Sequence, residues 1–135
     1  MEKMIEVEAG KRLNFKASAF SPIIYNRLFP GRDFLRDMDA LKKARDKGEG
    51  DLMAPYYEQF ARIAYTFAYQ GLAPTPRQTQ EQKGFLEKYP DEWEWIDSFK
   101  TFSIYKILPE IAKLWGENEL QISEQKNGVP APPVK

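Results

Sequence analysis

A wide apolar stripe in the middle of the chain constrains the fold more than any other feature of the sequence. Between residues 52 and 70, apolar and aromatic side chains recur at steps of three and four residues: Met53, Tyr56, Tyr57, Phe60, Ile63, Ala64, Phe67 and Ala68. This spacing predicts a helix. Because the stripe is too wide to face a single neighbour, we expect a central helix packed on more than one side, with Phe60, Ile63 and Phe67 buried.

Shorter patterns predict the elements around this helix. Alternating side chains over residues 4–8 and 12–18 favour a β-hairpin. Capping and proline signals predict further helices at Ser21-Pro22, with Ser21 as the N-cap, at Asp33 and after Pro90. Phe34, Leu35, Met38 and Leu41 lie on one apolar face of the helix that begins at Asp33. Two more helices are expected, over residues 80–88 and from about residue 102 to 116. The predicted fold is therefore mainly α: about five helices within residues 22–118, preceded by a short N-terminal hairpin within residues 4–18.

Composition divides the chain into a domain and a tail. Residues 1–120 carry the apolar patterns and are expected to form one domain. Residues 121–135 are polar and then proline-rich, ending in Val129-Pro130-Ala131-Pro132-Pro133-Val134-Lys135. Such a stretch cannot build a core, so we expect a flexible tail.

Several classes of chemistry are disfavoured by missing residue types. The chain contains no cysteine and no histidine, which removes thiolate nucleophiles, the commonest general base and the commonest zinc ligands. Basic and acidic residues balance at 20 each, without the basic excess of a dedicated nucleic-acid binder. We expect no enzyme activity, no catalytic, cofactor-binding or metal-binding residues, no nucleic-acid partner and no membrane partner. The expected location is the cytoplasm.

Three groups of residues could still carry a site. Asp91, Glu92, Glu94 and Asp97 resemble a carboxylate cluster, but they follow a proline at a predicted helix start, which favours a structural role. Arg27, Arg32 and Arg36 are expected to pair with Asp33 and Asp37, although they could bind an anion or a protein. Among the tryptophans, Trp93 and Trp115 fit core positions, whereas Trp95 fits the core and a partner-binding surface equally well.

Two stretches together resemble one family. The first is Leu13-Asn14-Phe15-Lys16-Ala17-Ser18, followed by a tyrosine, Tyr25, and then by Phe29-Pro30-Gly31-Arg32-Asp33, in which Pro30 is an insertion into the family's phenylalanine-glycine-arginine-aspartate turn. The second runs from Trp95-Ile96-Asp97-Ser98-Phe99 through residues 104–111 to Leu114-Trp115-Gly116. They are similar to the tail assembly chaperones of long-tailed siphophages, in the group from phages of Gram-positive bacteria, over most of residues 13–118.

This resemblance implies a role in assembly within the host bacterial cytoplasm. Family members are thought to coat the long, apolar tape measure protein, to recruit tail tube subunits and to leave before the tail is finished. A homo-oligomer is expected, since coating a long chain takes many copies, and the hairpin offers a strand edge for pairing. The candidate partner-binding residues are Arg27, Phe29, Arg32, Trp95 and Tyr105.

Many family members also have a longer form made by translational frameshifting. Gln125-Lys126-Asn127 can be encoded as CAA-AAA-AAC, which contains a heptamer on which both tRNAs could slip, so these residues are the candidate frameshift position. The longer form would contact the tail tube protein. Two other interpretations remain open: a non-viral helical adaptor or regulator, which could bind nucleic acid through its arginines, and a carboxylate-based enzyme.

Overall fold

The chain begins with a β-hairpin whose second strand contacts the central helix. The computed structural model describes residues 1–46, 56–101, 104 and 106–116. Strands β1 (Glu2–Glu8) and β2 (Lys11–Lys16) pair antiparallel, with Ile5 opposite Leu13 and a register irregularity between Glu6 and Glu8. Gly10 closes the turn at a φ of 78°, a value that glycine adopts without steric cost. The predicted hairpin is confirmed, with β1 starting earlier and β2 ending earlier than expected.

Helices make up most of the rest. They are α1 (Ser21–Leu28), α2 (Phe34–Asp46), α3 (Tyr57–Gln70), α4 (Gln80–Lys88), α5 (Glu92–Asp97) and α6 (residues 106–116, with residue 104 also helical). The prediction of a mainly helical chain with an N-terminal hairpin is therefore confirmed for the residues that the structure describes. No helix in the described ranges is long and apolar enough to cross a membrane.

Side-chain caps explain where three of the helices begin. The Asp33 carboxylate accepts hydrogen bonds from the amides of Leu35 and Arg36, at 3.1 and 3.3 Å. Asp91 accepts one from the Glu94 amide at 2.8 Å. Thr79 and Gln82 form a reciprocal capping box at the start of α4. The predicted cap at Asp33 and the predicted helix start after Pro90 are confirmed.

The predicted cap at Ser21 is wrong. Ser21 is the first residue of α1, and the position before it is Phe20, which makes no side-chain cap. The Ser21 hydroxyl instead accepts from the Ser18 amide and donates to the Gln70 side chain, at 2.9 and 2.6 Å. Burial explains the difference, because a fully buried hydroxyl is held by tertiary partners rather than by its own helix.

Helix α3 lies at the centre of the core. Every residue from Phe60 to Gln70 is buried, and the helix contacts β2, α1, α2, α4 and α5. The predictions that this helix is surrounded and that Phe60, Ile63 and Phe67 are buried are both confirmed.

Aromatic rings link the elements through the core. Trp115 meets Phe34 edge-on at 4.9 Å, and Phe34 meets Tyr25 at 5.3 Å. On the other side of α3, Tyr65 contacts Trp95 at 6.1 Å. Edge-to-face contacts of this kind add to the stabilisation from burial alone. The high aromatic content thus has a structural explanation that needs no binding partner.

Some predictions fall outside the described residues. They concern the beginning of the central helix with Met53, the candidate contact residue Tyr105, the C-terminal tail over 121–135, and the candidate frameshift position Gln125, Lys126 and Asn127.

Candidate protein-binding surfaces

An apolar groove separates α2 from α6. It encloses a volume of 390 Å³, with Phe60 of α3 contributing to its wall. Its apolar lining consists of Leu35, Met38 and Leu41 from α2, Phe60 from α3, and Pro109, Ala112 and Trp115 from α6. We call this cavity the α2–α6 groove. Its mostly apolar lining is typical of sites that bind another protein or an apolar ligand.

Small residues on α6 explain why the groove is open. Pro109, Ala112 and Gly116 follow one another at steps of three and four residues, so they lie along one face of the helix. All three line the groove, and none has a long side chain that could fill it. This spacing is visible in the sequence and could have indicated the groove.

The Leu35 side chain lies on the rim of the groove. Sequence analysis placed Leu35 on the buried face of α2 with Phe34, Met38 and Leu41, and these three are indeed buried. Leu35, however, is 58% exposed. It precedes Met38 by three positions but is rotated away from the Phe34–Met38–Leu41 line, and the small residues of α6 leave it uncovered. The prediction for Leu35 is therefore wrong.

Trp115 carries a buried hydrogen-bond donor without a partner in the described part of the chain. The residue is 7% exposed, and its indole Nε1 has no hydrogen-bond partner among the described residues. A buried tryptophan N–H usually finds an acceptor, because leaving it unpaired costs free energy. Trp115 lines the groove, but its Nε1 atom is itself buried, so the part of the indole that faces the groove is apolar ring.

Charged side chains surround the apolar lining. Asp39, Lys42 and Lys113 line the groove. Asp39 pairs with Lys43 at 3.0 Å, and Lys113 pairs with Glu110 at 3.1 Å. These pairs are exposed and add little to stability. An apolar centre with a charged rim is the usual anatomy of a protein-protein contact.

A second surface centres on Trp93, and here one prediction is corrected. Trp95, the candidate partner-binding tryptophan, is 2% exposed and contacts Phe15, Tyr65 and Phe99, whereas Trp93, expected in the core, is 50% exposed. Side chains two positions apart on a helix point in directions that differ by about 200°, so only one of the two rings can face the core. Trp95 takes the inner position because it and Phe99, four residues later, lie on the same side.

The exposed Trp93 ring stands between two shallow depressions. One is lined by Ile96, Phe99 and Ile104 among others, and the other by Tyr89, Glu94 and Asp97 among others. We call the exposed group formed by Trp93, Glu94 and Asp97 the Trp93 surface. Large aromatic side chains that are exposed in this way are frequent at protein interfaces.

The predicted pairing of the three arginines with Asp33 and Asp37 is also wrong. Within the described ranges, Arg27, Arg32 and Arg36 make no salt bridge. Asp33 is used as a helix cap. Asp37 accepts a hydrogen bond from the Tyr25 hydroxyl and lies 3.9 Å from the guanidinium of Arg62.

Of the other candidate contact residues, Phe29 is structural and Arg27 is accessible. Phe29 is half-buried and packs against Tyr25 and Tyr65. The Arg27 guanidinium lies over the Phe20 ring, 5.4 Å from its centre, and borders a cavity of 290 Å³ beside α4. Arg32 is exposed in the turn before α2. Trp95 is buried, so it does not join Arg27 and Arg32 at the surface.

The chain matches no protein-family model, no curated protein and no solved structure.

Proposed function

We propose that this chain is a phage tail assembly chaperone that binds apolar helical segments of the tape measure protein in the α2–α6 groove. The groove is the observation that carries the proposal. The resemblance of residues 13–118 to the family supplies the partner. The chaperone would act in the bacterial cytoplasm, and it would act by binding rather than by catalysis.

The shape and lining of the groove fit an amphipathic helix. Helix α6 spans residues 106–116, about 16 Å at 1.5 Å per residue. A partner helix of similar length would present apolar side chains at steps of three and four residues to Met38, Leu41 and Phe60. Its polar edge would meet the charged rim. Covering such a helix would prevent the aggregation that exposed apolar surface causes.

Co-expression with a tape measure fragment tests the proposal. The fragment should stay soluble with the unchanged chain and precipitate with Leu35→Glu, which places a charge at the groove rim. Leu35 is exposed, so this change should leave folding intact. Ile23→Glu is the matched control, because Ile23 is also an exposed apolar helix residue, 47% exposed, but does not line the groove. Equal precipitation with and without the unchanged chain would refute the proposal.

A longer, frameshifted form that contacts the tail tube protein remains part of this proposal. It rests on the coding capacity of Gln125-Lys126-Asn127 and on the resemblance. The nucleotide sequence tests it: the heptamer must be intact, and the shifted frame must stay open downstream. Mass spectrometry of infected cells should then detect a minor product that shares residues 1–127.

Nucleic-acid binding is the second candidate function, and the unpaired arginines favour it. Guanidinium groups without carboxylate partners are available for phosphate. A gel-shift assay with duplex DNA at increasing salt tests this, because binding through phosphates weakens steeply as salt rises. Arg27→Gln combined with Arg32→Gln should then abolish the shift, whereas Arg12→Gln, an exposed arginine on β2, should not. The absence of any shift at low salt would remove this candidate.

A further inference from the structure

We propose that the cavity beside α4 binds a small phosphate monoester, with Lys16 and Arg27 as the residues that hold the phosphate group. The cavity encloses 290 Å³ and lies where the end of β2, helix α1, the end of α3 and helix α4 meet. It shares no lining residue with the α2–α6 groove. Binding at this site therefore does not depend on a helical client.

The charged residues that line the cavity are both basic. Lys16 is the last residue of β2, and Arg27 lies in the last turn of α1. Both line the cavity, and no aspartate or glutamate of the described chain does. Two positive charges attract an anion, and a phosphate monoester matches them because it carries a charge of about −1.5 to −2 at pH 7.

Lys16 has no carboxylate partner in the described part of the chain. Its ammonium nitrogen lies 3.4 Å from each of two carbonyl oxygens, those of Ala73 and Pro74, which is long for a hydrogen bond. Glu2 is opposite Lys16 in the hairpin, but its carboxylate accepts from the Asn14 side chain. Two weak contacts with neutral oxygens thus hold the ammonium group and leave its charge for a ligand.

The Arg27 guanidinium is positioned by an aromatic ring. It lies over Phe20, 5.4 Å from the ring centre, within the range of a cation–π contact. Among the described residues it makes no salt bridge. The ring contact orients the planar group without using its N–H donors, so two of them remain free to bind two phosphate oxygens together.

Hydrogen bonds between side chains hold the polar wall of the cavity in place. Gln70 is 5% exposed, and it donates to the Ser18 hydroxyl at 2.6 Å and accepts from the Ser21 hydroxyl at 2.6 Å. The Ser18 hydroxyl also accepts from a backbone amide at 3.1 Å, and its own proton is not donated to any residue that the structure describes. Because this wall is already ordered, a ligand would lose little affinity to the ordering of side chains.

The rest of the lining sets the size and character of the ligand. Ile24, Leu28 and Leu86 give the cavity an apolar side. Its volume is just below the range of about 300–1,000 Å³ that encloses drug-sized molecules. The body attached to the phosphate is therefore compact and apolar, about the size of one ring. Duplex DNA cannot enter such a cavity, which distinguishes this site from a nucleic-acid contact at the exposed arginines.

Calorimetric titration of the full chain with phenyl phosphate tests the site. One molecule should bind per chain, roughly tenfold or more tightly than inorganic phosphate, because the phenyl ring is removed from water against the apolar side. Benzoate, which has the ring but a single negative charge, should also bind roughly tenfold more weakly. Lys16→Gln and Arg27→Gln should each weaken phenyl phosphate binding about tenfold, since each removes a charged hydrogen-bond donor.

Two matched substitutions remove a cation outside the cavity. Lys3→Gln changes an exposed lysine of the same hairpin, and Arg32→Gln changes an exposed arginine shortly after α1. Neither residue lines the cavity, so both variants should bind phenyl phosphate as the unchanged chain does. Melting temperatures check that all four variants fold, and the exposed position of Arg27 preserves the test if Lys16→Gln is unstable.

Three results would overturn the proposal. They are a lack of phenyl phosphate binding by the unchanged chain, an equal loss of binding in the matched variants, and benzoate binding as tight as that of phenyl phosphate. None of these measurements involves the tape measure protein, so a failure here would leave the proposed function standing.

Discussion

At the scale of single residues, a buried polar group holds α1, α2 and α3 together. Arg62 is buried within the apolar stripe, where its Nε donates to the Tyr25 hydroxyl at 3.1 Å. The Tyr25 hydroxyl in turn donates to Asp37. The sequence pattern predicted that Asp37 pairs with the surface arginines and indicated no role for Arg62. The signal was present, since Arg62 is the single charged residue between Gln59 and Gln70, and a charge in a core stripe requires a partner.

Arg62→Met should therefore destabilise the chain strongly. The change leaves Asp37 without its cationic neighbour, and removing one member of a buried pair costs about 3–5 kcal/mol. Adding Asp37→Leu should recover part of this loss, because no unpaired charge then remains. Urea denaturation of the single and double variants measures both effects. A loss below about 1 kcal/mol for Arg62→Met, the range of an exposed pair, would show that the network is not important for stability.

Two buried tyrosines make the chain sensitive to alkali. Burial raises the pKa of Tyr25 above its usual value near 10, and the hydrogen bond with Asp37 raises it further. Burial also raises the pKa of Tyr65, with the charges of Asp91 and Glu92 as smaller causes. Both pKa values are higher in the folded state than in the unfolded state. Their contribution to stability is therefore complete below about pH 10 and is lost as pH rises through the folded-state values.

The free energy of unfolding should fall above about pH 10. Each tyrosine contributes a slope of up to about 1.4 kcal/mol per pH unit. Tyr65→Phe should roughly halve the slope, at a cost of about 1 kcal/mol near pH 7 for the lost hydrogen bond to the Tyr89 carbonyl. Urea midpoints measured between pH 8 and pH 11.5 provide the comparison. An alkaline slope that is unchanged in Tyr65→Phe would contradict this explanation.

At the scale of elements, one glycine sets how closely the hairpin packs on α3. A Cβ atom at Gly71 would lie 2.1 Å from the Asn14 carbonyl oxygen. The Asn14 side-chain amide also donates a hydrogen bond to the Gly71 carbonyl oxygen, at 3.0 Å. The φ at Gly71 is −67°, so glycine is needed here for close approach and not for backbone conformation.

Two glycine substitutions should have opposite effects. Gly71→Ala should destabilise the chain by about 1–3 kcal/mol, because the β2 backbone at Asn14 must move. Gly84→Ala is the matched control: it lies inside α4 with open space around it, and alanine there should stabilise by up to about 1 kcal/mol. Thermal melts of the two variants measure both. If Gly71→Ala leaves the melting temperature unchanged, the hairpin can shift without a loss of stability.

At the scale of the whole molecule, the three tryptophans differ in their access to solvent. Trp95 and Trp115 are nearly buried, and only Trp93 is largely open to solvent. In dilute solution, acrylamide should therefore quench about one third of the tryptophan emission readily, taking the three rings as equally bright. A readily quenched fraction near zero would contradict the exposure of Trp93 in the folded chain.

Local rules within the sequence determined the elements. The apolar spacing of α3, the carboxylate caps at Asp33 and Asp91, and the alternation in the hairpin each depend on neighbours a few residues away. The mainly helical fold with its hairpin could be predicted for this reason. The carboxylate cluster at α5 could likewise be interpreted as a helix start.

Only the tertiary structure decided which faces are covered. Whether Trp93 or Trp95 points inward depends on where Phe15 and Tyr65 lie, and both are distant in sequence. Whether Asp37 meets a surface arginine or Arg62 depends on the packing of α2 against α3. Leu35 is exposed because the residues that face it across the groove are small and come from α6. These outcomes depend on long-range packing, in which side chains far apart in sequence compete for the same space.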